Sequence, residues 1–283
     1  MRAYAVIENG KPLQPIELPT PEPEGAQALL EGTHCGVCHS DIHIWDGFYD
    51  MGGGKVLTLK DRGVKLPLAM GHEVVGRVLK LGPQAAASGL KPGDLRLVYP
   101  WVGCGTCAKC RSDEDNMCLA PRSIGVYQHG GYATHVLVPE PRHLVPIEGL
   151  DPALAATYAC SGLTVYSAIR KVLPLPPDEP IVLFGAGGLG LNAIAVLKAL
   201  GHKRIVVVDI DAKKREAALA EGASDVVDGK ADTPEEVAGR VTATCGGPGG
   251  AAGGPARPRP PGGGGSSRLR QGGEWHLGRP HCL

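Results

Sequence analysis

The sequence predicts two folded parts, a small β barrel followed by a parallel, doubly wound α/β sheet. Three observations carry this prediction. Short β-like runs broken by Gly and Pro fill residues 1–146, strand and helix patterns alternate strictly after residue 180, and four cysteines lie within fifteen residues of one another. With 283 residues, the chain is long enough for two domains.

The first part is predicted from short strand-like runs that Gly and Pro residues separate. Its β-like runs are RAYAVIE, QALLEGT, GHEVVGRVLKLG, GDLRLVYP and GYATHVLVP. Several short strands separated by turn residues are typical of a small barrel. Between Asp151 and Val172 the apolar spacing becomes helical, and residues 173–180 hold four prolines, which predicts a hinge.

The second part shows a different order of elements. The strand IVLF, the helix GLGLNAIAVLKALG, the strand RIVVVDI, the helix AKKREAALAEG and the strand DVV follow one another. This alternation predicts a parallel sheet with helices packed on it.

Residues 241–283 change character, since thirteen of them are Gly and six are Pro. Such a segment buries too little apolar surface to offset the entropy of ordering it. We therefore predict that residues 241–283 are disordered and that the sheet stops at its third strand. Five arginines in this segment could form a nucleic-acid tail, but a solvated low-complexity end is the simpler interpretation.

Charge and hydropathy favour a protein with small-molecule partners. Lys plus Arg and Asp plus Glu both number 29, so neither nucleic acid nor an anionic membrane is indicated. No apolar run is long enough to span a bilayer and no leader is recognised, so we expect a cytoplasmic protein. Nine cysteines, several of them at ligand spacing, indicate metal chemistry in a reducing compartment more readily than disulfides.

The four clustered cysteines are the strongest motif. They are Cys104, Cys107, Cys110 and Cys118. A loop with this spacing can place four sulfurs tetrahedrally around zinc, and a closed shell of four thiolates makes the ion structural. An iron–sulfur cluster and two disulfides are the alternatives, although the spacing differs from the ferredoxin runs.

A second candidate metal set is dispersed along the chain. Cys38 lies in GVCHSDIH, His72 in GHE and Cys160 in YACSGLT. Taken singly, these residues are equally consistent with a buried thiol, a core histidine and a small packed residue. Spacing alone therefore does not establish a site.

Five segments together resemble a known family. GVCHSDIH, GHEVVGRV, the Cys104–Cys118 loop, YACSGLTVYSA and GAGGLGLNA occur in this order. The chain from Met1 to about Arg240 is similar to the zinc-dependent medium-chain alcohol dehydrogenases, especially their bacterial and yeast-like branch. The resemblance implies a GroES-like zinc-binding catalytic domain (1–174), the first half of a Rossmann NAD-binding domain (175–240), and a tail outside the match (241–283).

The same resemblance implies roles around the dispersed set. Cys38, His72 and Cys160 correspond to the ligands of a catalytic zinc, a Cys2His set with one open position. Zinc in such a site lowers the pKa of bound water from about 15.7 to about 7, and an alcohol should respond similarly. Glu73 is expected as a transient fourth ligand, with an ordinary salt bridge as the alternative.

Residues of the GVCHSDIH motif are expected to handle the proton. Ser40 resembles the family's hydroxyl that hydrogen-bonds the substrate oxygen, and His43 resembles the base at the end of a proton relay through Ser40 and the cofactor ribose. Asp41 is expected to accept the free ring N–H of His72. The alternative is that Ser40 caps a helix beginning at Asp41 and that His43 is polar surface.

A glycine triplet follows the strand IVLF. Gly185, Gly187 and Gly190 spell G-x-G-x-x-G at the head of an apolar helix, the context that a dinucleotide fingerprint requires. The helix amides, beginning with Gly188 and Leu189, would hold the diphosphate.

Three further cofactor contacts come from the resemblance, and a fourth from the strand pattern. Asp209, at the end of the next strand, can accept both ribose hydroxyls and repel a 2′-phosphate, which favours NAD over NADP. Lys214 resembles a lysine near the adenosine ribose, His39 a pyrophosphate contact, and Thr164 a contact behind the nicotinamide ring. Solvated surface or ordinary packing is the alternative for these last three.

The match ends early. Family members continue with further strands and a return segment, which nothing after Arg240 resembles, so activity and the homo-oligomeric state expected for the family are both open. A reading-frame shift near residues 242–250 of a GC-rich gene is one hypothesis. Translating the other two frames would test it.

The expected function is oxidation of an alcohol by NAD to an aldehyde or ketone, with one catalytic and one structural zinc. A polyol dehydrogenase of the same superfamily is an alternative, although its third ligand tends to be glutamate rather than a cysteine such as Cys160. A non-catalytic zinc-binding remnant is the other alternative.

Overall fold

The fold separates into two compact units, Met1–Leu163 and Thr164–Leu283. The computed structural model describes residues 1–231, 233–247 and 281–282. The division lies near the start of a helix, whereas we predicted a boundary after residue 174, beyond the end of that helix. The predicted functional domains remain predictions, and each unit is described by itself.

Unit 1 is built around a five-stranded antiparallel sheet. The strands of unit 1, within and outside this sheet, are β1 (Arg2–Ala5), β2 (Gln14–Glu17), β3 (Ala28–Gly36), β4 (Phe48–Asp50), β5 (Val56–Thr58), β6 (Glu73–Leu81), β7 (Leu95–Val98), β8 (His135–Val138) and β9 (Leu144–Pro146). The sheet order is β8-β3-β6-β7-β9, while β1 pairs with β2 and β4 with β5 as separate two-stranded sheets.

The core of this sheet follows from the period of two along a strand. In β8, Val136 and Val138 are buried while their neighbours are less so, and both pack with Leu30 of β3 and with Val74 and Val78 of β6. The predicted barrel-like strands of the first part are therefore present, and the antiparallel sheet encloses an apolar core.

The helices of unit 1 are short. They are α1 (His39–Asp46), α2 (Ala108–Arg111) and α3 (Pro152–Thr157), and a π-helical turn, Tyr158–Gly162, follows α3 directly. Asp151 caps α3 by accepting the Leu154 N–H, with Pro152 at the first helical position. Because Cys38 precedes the first residue of α1, the alternative that Ser40 caps a helix starting at Asp41 is wrong.

Unit 2 contains a parallel sheet with helices on both faces. Its elements are α4 (Leu163–Val172), β10 (Ile181–Phe184), α5 (Gly188–Ala199), β11 (Ile205–Asp209), α6 (Ala212–Glu221), β12 (Asp225–Asp228), α7 (Pro234–Thr244) and β13 (His281–Cys282). The order is β12-β11-β10-β13 and all pairs are parallel.

Two apolar clusters cover the two faces of this sheet. One joins Ile181 and Ile205 to Ile194 and Leu197 of α5, and the other joins Val206 to Val241 of α7. Successive strand residues therefore serve opposite faces, as a doubly wound sheet requires.

Two predictions for the last segment are wrong within the described residues. Residues 241–244, which we assigned to a disordered tail, form the end of α7, because Val241 packs on the sheet. The sheet also does not stop at its third strand, since residues 281–282 pair with Ile181 and Val182. Residues 248–280 and 283 of the predicted tail lie outside the described residues.

Among the helices that the structure describes, none combines the length and the apolar character needed to cross a membrane.

The core of unit 2 generates a prediction about stability. Leu197 is fully buried on α5, so Leu197→Ala removes packed methyl groups and leaves a cavity. We expect the free energy of unfolding to fall by about 2–5 kcal/mol. Denaturant unfolding of the full chain measures this loss. Leu200→Ala, at a position that is 49% exposed, is the control and should change stability by less than about 0.5 kcal/mol. Equal losses in the two variants would contradict this account of the core.

Candidate metal and cofactor sites

The four-cysteine loop closes on itself in unit 1. The sulfurs of Cys104, Cys107, Cys110 and Cys118 all lie within 4.8 Å of one another. Cys107 Sγ is 3.5 Å from Cys110 Sγ and 3.8 Å from Cys118 Sγ, and Cys104 Sγ is 3.9 Å from Cys110 Sγ. A tetrahedral zinc with about 2.3 Å bonds requires sulfurs about 3.8 Å apart. The observed spacing matches that requirement.

Backbone amides surround these sulfurs. Cys104 Sγ accepts the N–H groups of Thr106 and Cys107, and Cys118 Sγ accepts those of Cys104 and Ala120. Hydrogen bonds from Thr106 and Cys107 lower the pKa of the Cys104 thiol to about 5. The surroundings of Cys104 therefore favour its thiolate, the form that binds a metal.

The loop also leaves no room for a side chain at Gly103. A Cβ there would collide with Cys110 Sγ and lie 2.7 Å from Asp115 Oδ1. These four cysteines carry no disulfide, and their sulfurs are far beyond the S–S bond length of about 2.05 Å. The geometry thus excludes the disulfide alternative in this structure and fits a bound cation.

Three distant segments bring the second set together. Cys38 lies between β3 and α1, His72 directly precedes β6, and Cys160 lies in the π-helical turn. Their ligand atoms lie within 4.8 Å of one another, and the two sulfurs are 3.6 Å apart. A single π-turn widens the helix locally and is frequent at functional sites. The structure therefore places these three predicted residues in one cluster.

Asp41 lies behind this cluster. Its Oδ1 is 3.2 Å from His72 Nδ1, and its Oδ2 accepts the Cys38 N–H at 2.9 Å and the Tyr132 hydroxyl at 3.2 Å. Asp41 is 2% exposed and His72 is fully buried. This contact assigns Nδ1 to the carboxylate and leaves Nε2 as the ring nitrogen available to the sulfurs.

The residues of this cluster shift one another's pKa values. The hydrogen bond with Cys160 and the neighbouring His72 ring lower the pKa of Cys38 to about 3, whereas the interaction with Cys38 and burial raise the pKa of Cys160. Burial lowers the pKa of His72, but Asp41 and Cys38 outweigh it and raise that pKa to about 9. Burial and the charge of Cys38 raise the pKa of Glu73 to about 7. The contacts within this buried space thus favour the thiolate form of Cys38.

A cation fits this space. Nδ1 of the buried His72 ring is in ion-pair contact with Asp41, whereas among the described residues Nε2 has no hydrogen-bond partner of good geometry. A buried polar group without a partner costs about 1–3 kcal/mol. Two thiolates and one imidazole nitrogen are a donor set suited to zinc, and three protein ligands leave a position open. The cluster can therefore hold a Lewis-acidic ion.

Helix α1 carries the residues predicted to move a proton. Ser40 and His43 are three positions apart and so lie on one face of the helix. Ser40 is close enough to Cys38 and Tyr49 to lower the pKa of each, and the Tyr49 ring lies 4.6 Å from that of His43 between centroids. His39 is also in ring contact with His43, at 5.0 Å. The structure therefore places Ser40 beside the cluster and links it to His43 through Tyr49.

The glycine loop in unit 2 lies between β10 and α5. Gly185 has a φ of +96°, a conformation that favours glycine, and a Cβ on Gly190 would collide with the Gly185 carbonyl oxygen. Within the part of the chain that the structure describes, no atom beyond the neighbouring backbone lies within 4 Å of a Cβ built on Gly187 or Gly188. The open side of the loop and the helix amides behind it form a cradle for an anionic group.

The side chain of Asp209 stabilises this loop through hydrogen bonds to the backbone. Its Oδ2 accepts the Ala186 N–H at 2.7 Å and its Oδ1 accepts the Asp211 N–H at 2.8 Å. These two hydrogen bonds lower the pKa of Asp209. A charged carboxylate therefore lies at the end of β11, beside the glycine loop. Lys214 lies in the first turn of α6, and its N–H is bonded to Asp211.

Two cofactor predictions remain in less specific surroundings. Leu189 is half exposed near the start of α5, and Thr164 lies in the first turn of α4. No contact of the described residues assigns either of them to a ligand.

Sequence reasoning missed Tyr132 and Tyr49. Neither belongs to a ligand motif; Tyr49 lies in β4 just after α1, and Tyr132 comes from a distant segment. The glycine pair before Tyr132 is the one local signal, because glycines mark close backbone approaches.

Comparisons with known proteins agree with this geometry. The family model for the alcohol dehydrogenase GroES-like domain matches residues 24–149. An NAD-dependent alcohol dehydrogenase of Sulfurisphaera tokodaii is 40% identical over 243 residues, which cover 86% of this chain and 68% of that protein.

Solved structures give the same result. D-arabinose dehydrogenase from Sulfolobus solfataricus superposes with a TM-score of 0.69 at 32% identity, covering 80% of this chain and 66% of that one. Acetophenone reductase from Geotrichum candidum, solved in complex with NAD, gives 0.70 at 28% identity, with 82% and 64% covered. This chain thus spans about two thirds of the length of these relatives.

These matches confirm the predicted fold class, a GroES-like domain followed by a Rossmann domain. The relatives are NAD-dependent alcohol dehydrogenases and related enzymes. The chain belongs to the zinc-dependent medium-chain alcohol dehydrogenase family. The branch that the sequence indicated remains a prediction.

The four-cysteine loop makes a prediction about metal content. Cys110→Ser replaces a buried thiolate by a hydroxyl that binds zinc poorly, so the purified chain should lose one equivalent of zinc. Elemental analysis by mass spectrometry measures the zinc content per chain. Cys245→Ser, in unit 2 and outside both clusters, is the control and should keep the wild-type content. Unchanged zinc in Cys110→Ser, or iron with acid-labile sulfide in the wild type, would contradict a zinc site.

Proposed function

We propose that this chain transfers a hydride between an alcohol and NAD, giving an aldehyde or ketone, with the substrate oxygen held at zinc. The observation that carries this proposal is the convergence of Cys38, His72 and Cys160 around a buried imidazole nitrogen that lacks a partner. Membership of the family supports it. Because the chain covers about two thirds of the length of its relatives, their activity is not assigned to it directly and is proposed here from the site.

The ligand set accounts for the reactivity of the site. When bound, zinc supplies the Lewis acidity that favours loss of the alcohol proton before the hydride leaves carbon. Cys38 and Cys160 as thiolates balance the formal charge of the ion, so the open position takes one anionic oxygen without strong excess charge. Asp41 holds the His72 ring so that Nε2 faces the sulfurs.

Residues of α1 carry the proton away from the substrate. Ser40 lies beside Cys38 and can take up the alcohol proton as it releases its own hydroxyl proton towards His43, which is one turn further and is the base that passes the proton to solvent. Tyr49 lies in contact with both side chains. Glu73, which is 4% exposed and next to His72, is placed to act as a temporary ligand when the substrate departs.

The second unit supplies the cofactor site in this proposal. NAD accepts the hydride, with its diphosphate on the amides behind Gly185, Gly187, Gly188, Leu189 and Gly190. Asp209 binds the adenosine ribose and repels a 2′-phosphate. Lys214, His39 and Thr164 are proposed as further contacts.

The four-cysteine loop holds a second zinc with a structural role. Its ligands are all local, so binding the ion fixes the loop conformation directly. Free thiols in two metal clusters require a reducing compartment, and we therefore place the protein in the cytoplasm. Self-association is proposed from the family resemblance alone.

A sugar or polyol is the second candidate substrate class. D-arabinose dehydrogenase is among the similar structures, at 32% identity. The third ligand tends to be glutamate in the polyol dehydrogenases of the superfamily, and Cys160 at that position favours the simple alcohol as first candidate. A panel that includes short alcohols, a benzylic alcohol and pentoses separates them.

Cys160→Ala tests the proposed reaction. Loss of one sulfur leaves two ligands for the ion, so alcohol-dependent NADH formation should fall by about a thousandfold or more, a loss of the size caused by removing a catalytic group. Absorbance at the NADH band across the alcohol panel measures it. The matched control, Cys245→Ala, should keep the wild-type rate.

The alternative of a non-catalytic remnant predicts a different outcome. In that case the wild-type chain contains one zinc, located in the four-cysteine loop, and shows no NAD-dependent change in fluorescence. Two zinc ions, saturable NAD binding and turnover together support the enzyme.

Gly190→Ala tests the cofactor cradle. Because the new Cβ would collide with the Gly185 carbonyl oxygen, the loop must shift and the affinity for NAD should fall at least about tenfold. Titration calorimetry measures the affinity. Gly239→Ala on α7, where a Cβ meets no atom within 4 Å, is the control and should bind NAD as the wild type does. Equal affinity in both variants would exclude this loop as the diphosphate site.

A further inference from the structure

Tyr132 is joined to the proposed catalytic metal site through a single carboxylate. Its hydroxyl donates to Asp41 Oδ2 at 3.2 Å, and the same oxygen accepts the Cys38 N–H at 2.9 Å. The other oxygen of Asp41 is 3.2 Å from His72 Nδ1. Asp41 therefore connects Tyr132 to two of the three residues that would hold the ion.

The backbone fixes Tyr132 next to the segment that carries His72. Residues 130–132 run beside residues 69–71. The N–H groups of Gly130, Gly131 and Tyr132 donate to the carbonyls of Ala69, Gly71 and Met70 at 2.8, 2.8 and 2.9 Å. Since His72 follows Gly71 directly, these bonds set the distance between the tyrosine and the histidine.

Glycine at position 71 makes room for the tyrosine ring. Gly71 has a φ of +91°, and a Cβ built there would lie 2.6 Å from Tyr132 Cδ1. The ring thus rests on bare backbone next to His72. Packing of this kind orients the phenol towards Asp41 and leaves it few other rotamers.

The hydroxyl of Tyr132 supplies a hydrogen bond to the buried Asp41 carboxylate. Tyrosine keeps its proton at neutral pH, because its ordinary pKa is about 10, so the group donates to Asp41. Asp41 is nearly inaccessible to water, and without this donor Oδ2 would keep one backbone partner only. A carboxylate held by fewer bonds turns more easily about its last torsion, which is broad. The His72 ring would then be less firmly held.

We propose that Tyr132 is a positioning residue for the catalytic metal site, acting through Asp41 on the orientation of His72. The inference rests on the proposed function, since it requires that Cys38, His72 and Cys160 bind an ion. Changes in groups that orient metal ligands typically cost 10–100-fold in metal affinity or activity. A purely packing role predicts instead that phenylalanine serves equally well.

Tyr132→Phe is the direct test, because it removes the hydroxyl and keeps the ring. The full chain is loaded with cobalt(II), and loss of the ion to a chelator is followed by absorption. The phase that is missing in Cys160→Ala belongs to the catalytic site. We expect this phase to run about tenfold faster in Tyr132→Phe, with a shift of the visible cobalt bands. Tyr99→Phe, whose ring stacks on His143, is the control and should match the wild type.

A double-mutant cycle shows whether the effect passes through the carboxylate. With Asp41→Ala as background, Tyr132→Phe should produce no additional acceleration, because its hydroxyl no longer has a route to His72. Equal acceleration in both backgrounds would overturn the proposal, as would wild-type bands and release in Tyr132→Phe. If Asp41→Ala yields no folded chain, the single variant decides the question.

Failure of the proposed function has a separate signature. In that case the wild-type chain itself lacks the phase that depends on Cys160, and the inference about Tyr132 falls with it. A wild-type chain with that phase, and a Tyr132→Phe variant that behaves identically, leaves the metal site in place and overturns the role of Tyr132 alone.

Discussion

The buried imidazole of His72 is the constraint around which unit 1 is arranged. A ring without access to water needs a partner at each nitrogen, and one side is met by the Asp41 carboxylate. The other side faces two sulfurs 3.6 Å apart, which repel each other once both are ionised. A cation resolves both problems, because it accepts the ring lone pair and neutralises the thiolates. The polar groups of this region are thus stable together only as a set.

The two cysteine clusters place different demands on the fold. In the four-cysteine loop all ligands come from one short segment, so the loop can form around its ion without a distant partner. The second cluster needs the end of β3, the start of β6 and the π-helical turn at the same point, and therefore depends on the whole antiparallel sheet. Loss of sheet packing would disperse the second cluster and leave the first largely intact.

Sequence and structure agree where the signal is local. The strands of both units, the four-cysteine loop and the glycine turn each follow from residue type and spacing, and the convergence of Cys38, His72 and Cys160 came from resemblance to a family. Helix α7 was missed although its start carries the usual signals, with Thr233 capping and Pro234 at the first position, because its glycine and the polar surroundings masked the pattern. The pairing of residues 281–282 with β10 is non-local and only two residues long, so the hydrophobic periodicity of the sequence does not predict it. The contact of Tyr132 with Asp41, 91 residues apart, likewise depends on tertiary packing.

Helix α1 spans only His39–Asp46, yet three functions share it. In the proposed function, Cys38 directly before the helix offers a sulfur, Asp41 orients an imidazole, and Ser40 with His43 conducts a proton. A small tilt of so short a segment would disturb all three at once, so selection cannot tune one without the others. Variation in directed evolution should therefore be tolerated on its outward positions, such as Ile42 at 44% exposure, and purged from the inward ones. A new substrate range would therefore have to come from changes in the surrounding loops, while the inward residues of this helix stay unchanged.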